Sequence, residues 1–282
     1  MAIALALAAA ASWGLADFLA GLASRRVSVP VVLFLVEGGG LVVIVAVALL
    51  GHEPFFSDAR DFWSATAGGL SGVLALGCFY AALSIGTMSV VAPISSAGVA
   101  LPVVVGVLTG DRPSVVSALG LGAIVAGVVL ASREQHTDAA QAAASRRAIV
   151  LALISAVGFG GFFALTDAPA DASVPWTLVL ARGAAMPFIA AVILAWRPAP
   201  DARPGRHLAL GLAAVGTIDL MATALVAIAN TKGDLSVVSV LGGMYPVMTV
   251  LLAGVVLKER VAPPQMLGIA LALGGVGAVA AG

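Results

Sequence analysis

The sequence predicts an all-α integral membrane protein in which ten transmembrane helices form two inverted five-helix repeats. The 282-residue chain is 61% hydrophobic and 10% charged, with a mean hydropathy of +1.12. Soluble proteins have about 45–50% apolar and about 25% charged residues, so this composition indicates a membrane protein. Ten long apolar stretches and a set of residues that recur about 145 positions apart supply the rest of the prediction.

The apolar stretches define the predicted helices. A transmembrane helix needs about 20 mostly apolar residues, and the strands of a membrane barrel would alternate over about 10 residues, which these stretches do not. The first stretch continues past the length of a signal peptide and lacks its basic leader, so it is kept as a helix. The predicted helices cover residues 2–22, 28–50, 64–84, 88–109, 114–131, 148–166, 173–196, 208–229, 235–257 and 264–281.

A duplication organises these helices. VPVVLFLVEG, ending at residue 38, and VPWTLVLARG, ending at residue 183, place Glu37 and Arg182 at an offset of 145. Because each half has an odd number of helices, the second half enters the membrane with the opposite orientation. Secondary transporters use such inverted repeats, with substrate sites near the midplane at the repeat interface. Further matched pairs follow at offsets of 147 and 148: Gly86 with Gly233, Ser89 with Ser236, Asp111 with Glu259, Gly120 with Gly268, and Gly127 with Gly275.

The longest hydrophilic run divides the repeats. SREQHTDAAQAAASRR, residues 132–147, separates them, so we assign residues 1–132 to the first repeat and residues 148–282 to the second. We expect residues 133–147 to be a solvated linker.

Several function classes lose support from what the chain contains. Its net charge is zero, which gives no basic face for nucleic acid. The single cysteine, Cys78, is expected to be a buried apolar residue. The three histidines fall in predicted loops, and no phosphate-binding loop or metal-ligand spacing occurs, so we expect neither a cofactor nor a metal.

Four ionisable residues lie inside predicted helices: Asp17, Glu37, Arg182 and Asp219. Each charge near a bilayer centre costs about 2.5–3.5 kcal/mol, so such residues usually face the bundle interior and pair with one another or with a ligand. Glu37 and Arg182 hold the same repeat position and are predicted to approach across a central cavity. They would act as a gate, as a site where Arg182 meets a substrate carboxylate and Glu37 an amine or a proton, or as a permanent salt bridge.

The remaining candidates are two acids and three aromatic residues. Trp13 and Asp17 share one face of the first helix, which would suit a cationic or zwitterionic solute, although Trp13 would equally serve anchoring or packing. Asp219 is the best candidate for binding a proton, because burial disfavours its charged form; the alternative is a hydrogen bond to a nearby Ser or Thr. Tyr80 and Tyr245 would line the pathway or pack in the core.

Glycine and proline predict local departures from regular helix. The glycine triplet 38–40 is expected to loosen the second helix. Pro93, Pro102 and Pro246 fall within the fourth helix of each repeat, where they would act as hinges, expose backbone to a pathway, or simply shape the bundle.

Two segments resemble the EamA domain of the drug/metabolite transporter superfamily. They are FYAALSIGTMSVVAPISSAGVALPVVVGVLTGDRPS and LVAIANTKGDLSVVSVLGGMYPVMTVLLAGVVLKERVAPPQMLG, together with Trp13-Gly14. The second copy keeps the family's Lys-Glu at Lys258-Glu259, whereas the first has Gly110-Asp111; both acids are expected to be structural. The resemblance covers nearly the whole chain as two copies and implies a ten-helix secondary carrier.

The function expected on these grounds is export of small metabolites, amino acid-like or otherwise amphipathic, across the cytoplasmic membrane by alternating access. Protons are a candidate coupling ion, and the oligomeric state stays open. The alternatives are a non-transporting receptor or assembly subunit and, with less support, an intramembrane enzyme. Orientation is in conflict: ten Lys and Arg lie in the odd-numbered loops against three in the even ones, which places the termini outside, whereas the resemblance implies termini in the cytoplasm.

Overall fold

The protein is all-helical in the part of the chain that the computed structural model describes, namely residues 1–101, 104, 114–131, 139–196, 204–230, 232 and 235–281. Within these described residues, seven helices are long and apolar enough to cross a membrane. The α-helices are α1 (Ala2–Ser24), α2 (Val29–Leu50), α3 (Ala59–Ile85), α4 (Met88–Ser96), α5 (Val115–Ala131), α6 (Ala139–Ala172), α7 (Val174–Trp196), α8 (Arg206–Asn230), α9 (Leu235–Gly242), α10 (Tyr245–Val256) and α11 (Pro263–Ala281). The predicted ten-span, two-repeat architecture is confirmed.

The fourth span of each repeat is discontinuous at matching positions. In the first repeat, α4 ends at Ser96 and a 3₁₀ turn follows at Ala97–Val99. In the second, α9 ends at Gly242 and α10 begins at Tyr245, with Pro246 in its first turn, where a missing N–H costs nothing. The continuous helices predicted for 88–109 and 235–257 are therefore wrong at these breaks. Pro102 and residues 105–109 lie outside the described residues.

Helix α6 is longer than the sequence prediction. It begins at Ala139 rather than 148 and ends at Ala172 rather than 166, so the second half of the expected solvated linker is helical. Gln141 and Ser145 from this extension line an open cavity of ≈ 510 Å³ together with Arg25 and Glu259. The start of α6 thus packs over one end of the bundle.

Helices α5 and α11 show the internal symmetry most directly. A Cβ atom on Gly120 would lie 2.9 Å from the carbonyl oxygen of Gly275, and one on Gly127 would lie 2.7 Å from that of Gly268. Gly120 is the repeat equivalent of Gly268, and Gly127 that of Gly275. Each contact is therefore the image of the other, which is the pattern that a pseudo-twofold axis produces. The small residues let the two backbones approach closely.

One acid links the repeats at the end of the bundle where α4 begins. Glu259, just beyond α10, accepts hydrogen bonds from the backbone N–H groups of Met88 and Ser89, both at 3.0 Å, and from the Ser89 hydroxyl at 2.8 Å. Arg25 lies 3.5 Å from the same carboxylate. Glu259 thus caps α4, where the helix N-terminus favours negative charge. We call Arg25, Ser89 and Glu259 the inter-repeat clamp.

Aromatic side chains gather at the opposite end, around the start of α3 and α7. The Trp176 indole N–H donates to the Glu53 carbonyl oxygen at 2.9 Å, and the Phe55 ring meets the Trp176 ring edge-on at 5.0 Å. Trp63 is exposed beside them. Aromatic rings of this kind concentrate at the membrane–water interface, and the largely exposed Val42 and Leu119 between the two ends fit a lipid-facing surface.

Candidate functional site

Three of the four ionisable residues that the sequence predicts inside helices form one cluster in the interior of the bundle. Arg182 on α7 donates through Nη1 to Glu37 Oε2 on α2 at 3.1 Å, and through Nη2 to Asp219 Oδ2 on α8. Glu37 is 6% exposed and Arg182 8%, whereas the Asp219 side chain is 29% exposed. The guanidinium group can serve both acids because it presents several N–H donors in a fixed fork. We call these three residues the central triad.

The Glu37–Arg182 pair of the triad lies close to the pseudo-twofold axis. Glu37 and Arg182 are repeat equivalents, at an offset of 145, and they contact each other. A residue meets its own symmetry counterpart only close to the axis that relates the two. The predicted approach of Glu37 and Arg182 is therefore found, and it places the pair at the interface of the repeats.

Close backbone packing positions the triad. A Cβ on Gly216 would come within 1.8 Å of the Val36 carbonyl oxygen, and a Cβ on Gly39 within 2.2 Å of that of Ala213. Gly40 makes room for Arg182, whose Nη1 lies 2.7 Å from the position of its absent Cβ. Since α2 runs unbroken through the glycine triplet, the expected loosening is wrong: the glycines bring α8 and the arginine against α2.

Asp17 on α1 is the fourth ionisable residue. It is 9% exposed, and its carboxylate makes no hydrogen bond or ion pair with any residue that the structure describes. Its charge interacts with Asp219 and with the hydroxyl groups of Tyr80 and Tyr245. Asp17 therefore faces the same interior region as the triad without sharing its arginine.

The Trp13 and Tyr245 rings lie in the region of Asp17. Their centroids are 6.2 Å apart and their planes 72° apart, an edge-to-face pair, and both side chains are half-buried. Tyr245 begins α10 at the helix break, and α10 is held against α1 because the Thr249 hydroxyl donates to the Gly14 carbonyl oxygen at 3.1 Å. The break thus brings an aromatic residue from the second repeat to the face of α1 that carries Trp13 and Asp17.

Tyr80 occupies a different setting from Tyr245. It is almost fully buried on α3 beside Phe79, yet its hydroxyl interacts electrostatically with Asp17, Glu37, Asp219 and Arg182. Its ring packs in the hydrophobic core. The expected packing of Tyr80 in the core is what the structure has, and its role in lining the pathway stays a prediction.

The ion pair of Asp219 with Arg182 was not predicted from the sequence. The sequence offered a hydrogen bond from a nearby Ser or Thr to the Asp219 carboxylate as an alternative. In the structure, the Thr223 hydroxyl donates to the Asp219 backbone oxygen instead, at 3.4 Å. The carboxylate pairs with Arg182.

Within the described residues, no group of three His, Cys, Asp or Glu side chains is arranged to hold a metal ion.

Comparison with known proteins identifies the family. A model of the EamA-like transporter family matches residues 1–133 and 146–281. The chain belongs to the EamA-like transporter family. A solved structure, described only as the crystal structure of a protein, is 19% identical, covers 98% of this chain and 95% of its own, and superimposes with a TM-score of 0.67, which shows a shared fold. No curated protein matches the chain.

As an EamA-like transporter, the protein is a multi-pass membrane protein whose partners are a small-molecule substrate and the lipid bilayer. Family membership points to a transporter rather than an enzyme. The central triad and Asp17 lie among helices of both repeats, which is where transporters built from inverted repeats bind substrates.

Proposed function

We propose that this EamA-like transporter is a secondary active carrier that exports small metabolites, amino acid-like or otherwise amphipathic, across the cytoplasmic membrane by alternating access. The observation that carries the proposal is the pairing of Glu37 with its repeat equivalent Arg182 on the pseudo-twofold axis. Two buried charges at that point have a cost, which a role in transport explains.

Alternating access between inverted repeats exchanges the conformations of the two halves around a fixed site. A pair of residues on the axis is contacted by both repeats in each state. Its contacts can therefore change when the cavity opens to one side of the membrane or to the other. Glu37 comes from the first repeat, whereas Arg182 and Asp219 come from the second. Relative motion of the repeats would stretch the Glu37 contact while leaving Asp219 with Arg182, which supports a gate at this position.

The second role considered for Arg182, as counter-ion of a substrate carboxylate, is less well supported. Its guanidinium already donates to two carboxylates. A substrate carboxylate would have to displace one of them and leave a buried acid without a partner, at a cost of several kcal/mol. We therefore assign Arg182 to the gate.

We further propose protons as the coupling ion. Asp219, the proton-binding candidate from the sequence, pairs with Arg182. Asp17 is buried and has no counter-charge among the residues that the structure describes, and a bound proton would remove the cost of an isolated carboxylate there. Coupling then means that outward movement of solute is accompanied by inward movement of protons through the same interior region.

The experiment is solute flux in proteoliposomes loaded with a labelled pool of amino acids and other metabolites, with and without a pH gradient. We compare the wild type with Arg182→Gln and with Arg60→Gln, which makes the same change at an exposed position. We expect solute flux in the wild type and in Arg60→Gln, and a faster flux when the pH gradient is present. Arg182→Gln is expected to lose the flux while the purified variant still elutes as a folded protein.

Equal flux in all three proteins would remove the gate from the proposal. Absence of flux of any solute, with or without the gradient, would contradict the carrier and favour a non-transporting receptor or assembly subunit, and formation of a product would favour an intramembrane enzyme. Flux that the gradient does not change would contradict the proton coupling alone.

A further inference from the structure

We propose that Asp17, Trp13 and Tyr245 form a subsite for the positively charged amino or ammonium group of an organic substrate, so that this carrier selects cations over anions of the same size. The inference rests on the proposed transport function and narrows its substrate class. Three observations carry it: the charge balance of the interior, the lack of a partner for Asp17 among the described residues, and the rings beside it.

The interior of the bundle carries more negative than positive charge. Arg182 is the only basic residue there in the part of the chain that the structure describes, and it faces Glu37 and Asp219. Asp17 adds a third carboxylate and interacts electrostatically with Asp219. With its acids ionised, the region has two negative charges in excess. A bound cation would reduce that excess, whereas a bound anion would increase it.

Asp17 is the acid that is open to a ligand. Glu37 and Asp219 both accept from Arg182, whereas the Asp17 carboxylate makes no described hydrogen bond or ion pair and is nine-tenths buried. Burying an ionised carboxylate without a partner is costly, and an ammonium group offers both the opposite charge and N–H donors. A ligand bound here would supply the partner that the fold does not.

The aromatic rings complete the subsite. Trp13 lies one helical turn before Asp17 on α1, and Tyr245 comes from the other side of the break in the ninth span. Cations bind over the faces of Trp and Tyr rings within about 6 Å of the centroid. Because both rings are half-buried and Asp17 is more deeply buried, the charged group of the substrate would reach Asp17 while its apolar part remains against the rings.

The test is a binding series in detergent with four probes that share one phenyl ring and differ in the polar group: phenethylamine, 2-phenylethanol, 3-phenylpropionate and phenylalanine. Binding is followed by the fluorescence of Trp13 in a protein in which Trp63, Trp176 and Trp196 are changed to Phe. We expect phenethylamine to bind at least about tenfold more tightly than the alcohol, and 3-phenylpropionate to bind most weakly.

Two variants of the same chemistry assign the effect. Asp17→Asn is expected to weaken phenethylamine binding at least about tenfold while changing alcohol binding little, because only the charge-assisted contact is removed. Asp167→Asn makes the same change at an exposed position on α6 and is expected to leave all four affinities unchanged. Elution of each variant as a single folded species is checked before binding.

Equal affinities for the amine and the alcohol in the wild type, or an unaltered amine affinity in Asp17→Asn, would overturn the proposal, whatever the variants do to folding. Failure of the transport function is seen separately: amine binding without counterflow of labelled phenethylamine in proteoliposomes would retain the subsite and contradict the carrier. Flux of other solutes without amine binding would retain the carrier and contradict the subsite.

Discussion

Glu259 of the second repeat accepts a hydrogen bond from the Ser89 hydroxyl of the first repeat at 2.8 Å. Its carboxylate also accepts hydrogen bonds from the backbone N–H groups at the start of α4. The two residues are 170 positions apart in the chain, and their contact closes one end of the bundle across the repeat interface. Arg25 adds a positive charge to the same carboxylate. Because Glu259 caps the first turn of α4 from the other repeat, the stability of that turn depends on the relative position of the two repeats.

We predict that Glu259→Gln lowers stability more than Ser89→Ala. Glutamine keeps the length but removes the negative charge that accepts all three hydrogen bonds and pairs with Arg25, whereas Ser89→Ala removes only one of those hydrogen bonds. Each hydrogen bond to a charged group contributes about 1.5–3 kcal/mol. Thermal unfolding in detergent measures the order. Glu53→Gln, at an exposed position, serves as control and should unfold like the wild type. A melting temperature of Glu259→Gln equal to that control would show that the clamp does not stabilise the fold.

The central triad predicts an unequal response to the removal of its members. Arg182→Gln leaves the buried Glu37 and the partly buried Asp219 without their counter-charge, a loss expected to cost about 3–5 kcal/mol. Glu37→Gln leaves Arg182 paired with Asp219, so its effect on unfolding should be clearly smaller. Thermal unfolding of both variants gives the comparison. The same destabilisation in both would mean that Glu37 and Asp219 do not share the arginine.

How much of this site was readable from the sequence depends on symmetry. Glu37 and Arg182 stand at one repeat offset, so their meeting near the axis follows from the duplication alone. Asp219 has no such signal, because the corresponding stretch of the first repeat, residues 72–74, contains only Gly, Val and Leu. A charge present in one repeat only breaks the symmetry, and its partner is set by the packing of α8 on α2, which no local pattern encodes.

The helix breaks and the clamp show a second limit. Pro246 marked the position of a disturbance in the ninth span, but proline is compatible with a kink, a hinge or a new helix start, and only the structure shows that α10 begins there. The sequence predicted that Glu259 lies at a helix end and has a structural role. Its partners lie in the other repeat, and the sequence around it gives no indication of that distance.

Close packing of α8 on α2 yields a prediction with a control in the same helix. A Cβ on Gly216 would lie 1.8 Å from the Val36 carbonyl oxygen, whereas one on Gly211 would meet nothing within 4 Å. Gly216→Ala must push the helices apart and disturb the triad, so we expect poor yield or a large loss of stability. Gly211→Ala should be neutral or stabilising by up to about 1 kcal/mol, since Ala favours helix. The yield of folded protein and the thermal unfolding temperature of both variants test this prediction. A Gly216→Ala protein with the yield and unfolding temperature of the wild type would contradict the close α2–α8 contact.

The orientation in the membrane provides the last prediction. Arg25, the start of α6 and Glu259 meet at one end of the bundle, so the loops that carry ten of the basic residues share one face, and loops on the other face carry three. Basic loops are retained in the cytoplasm, so we predict that the clamp end is cytoplasmic and the aromatic end external. In a Cys78→Ala background, Ser57→Cys should react with a membrane-impermeant maleimide in intact cells, and Ala142→Cys only after the cells are opened. The reverse pattern would place the termini in the cytoplasm, and equal labelling of both sites would show that the chain inserts in both orientations.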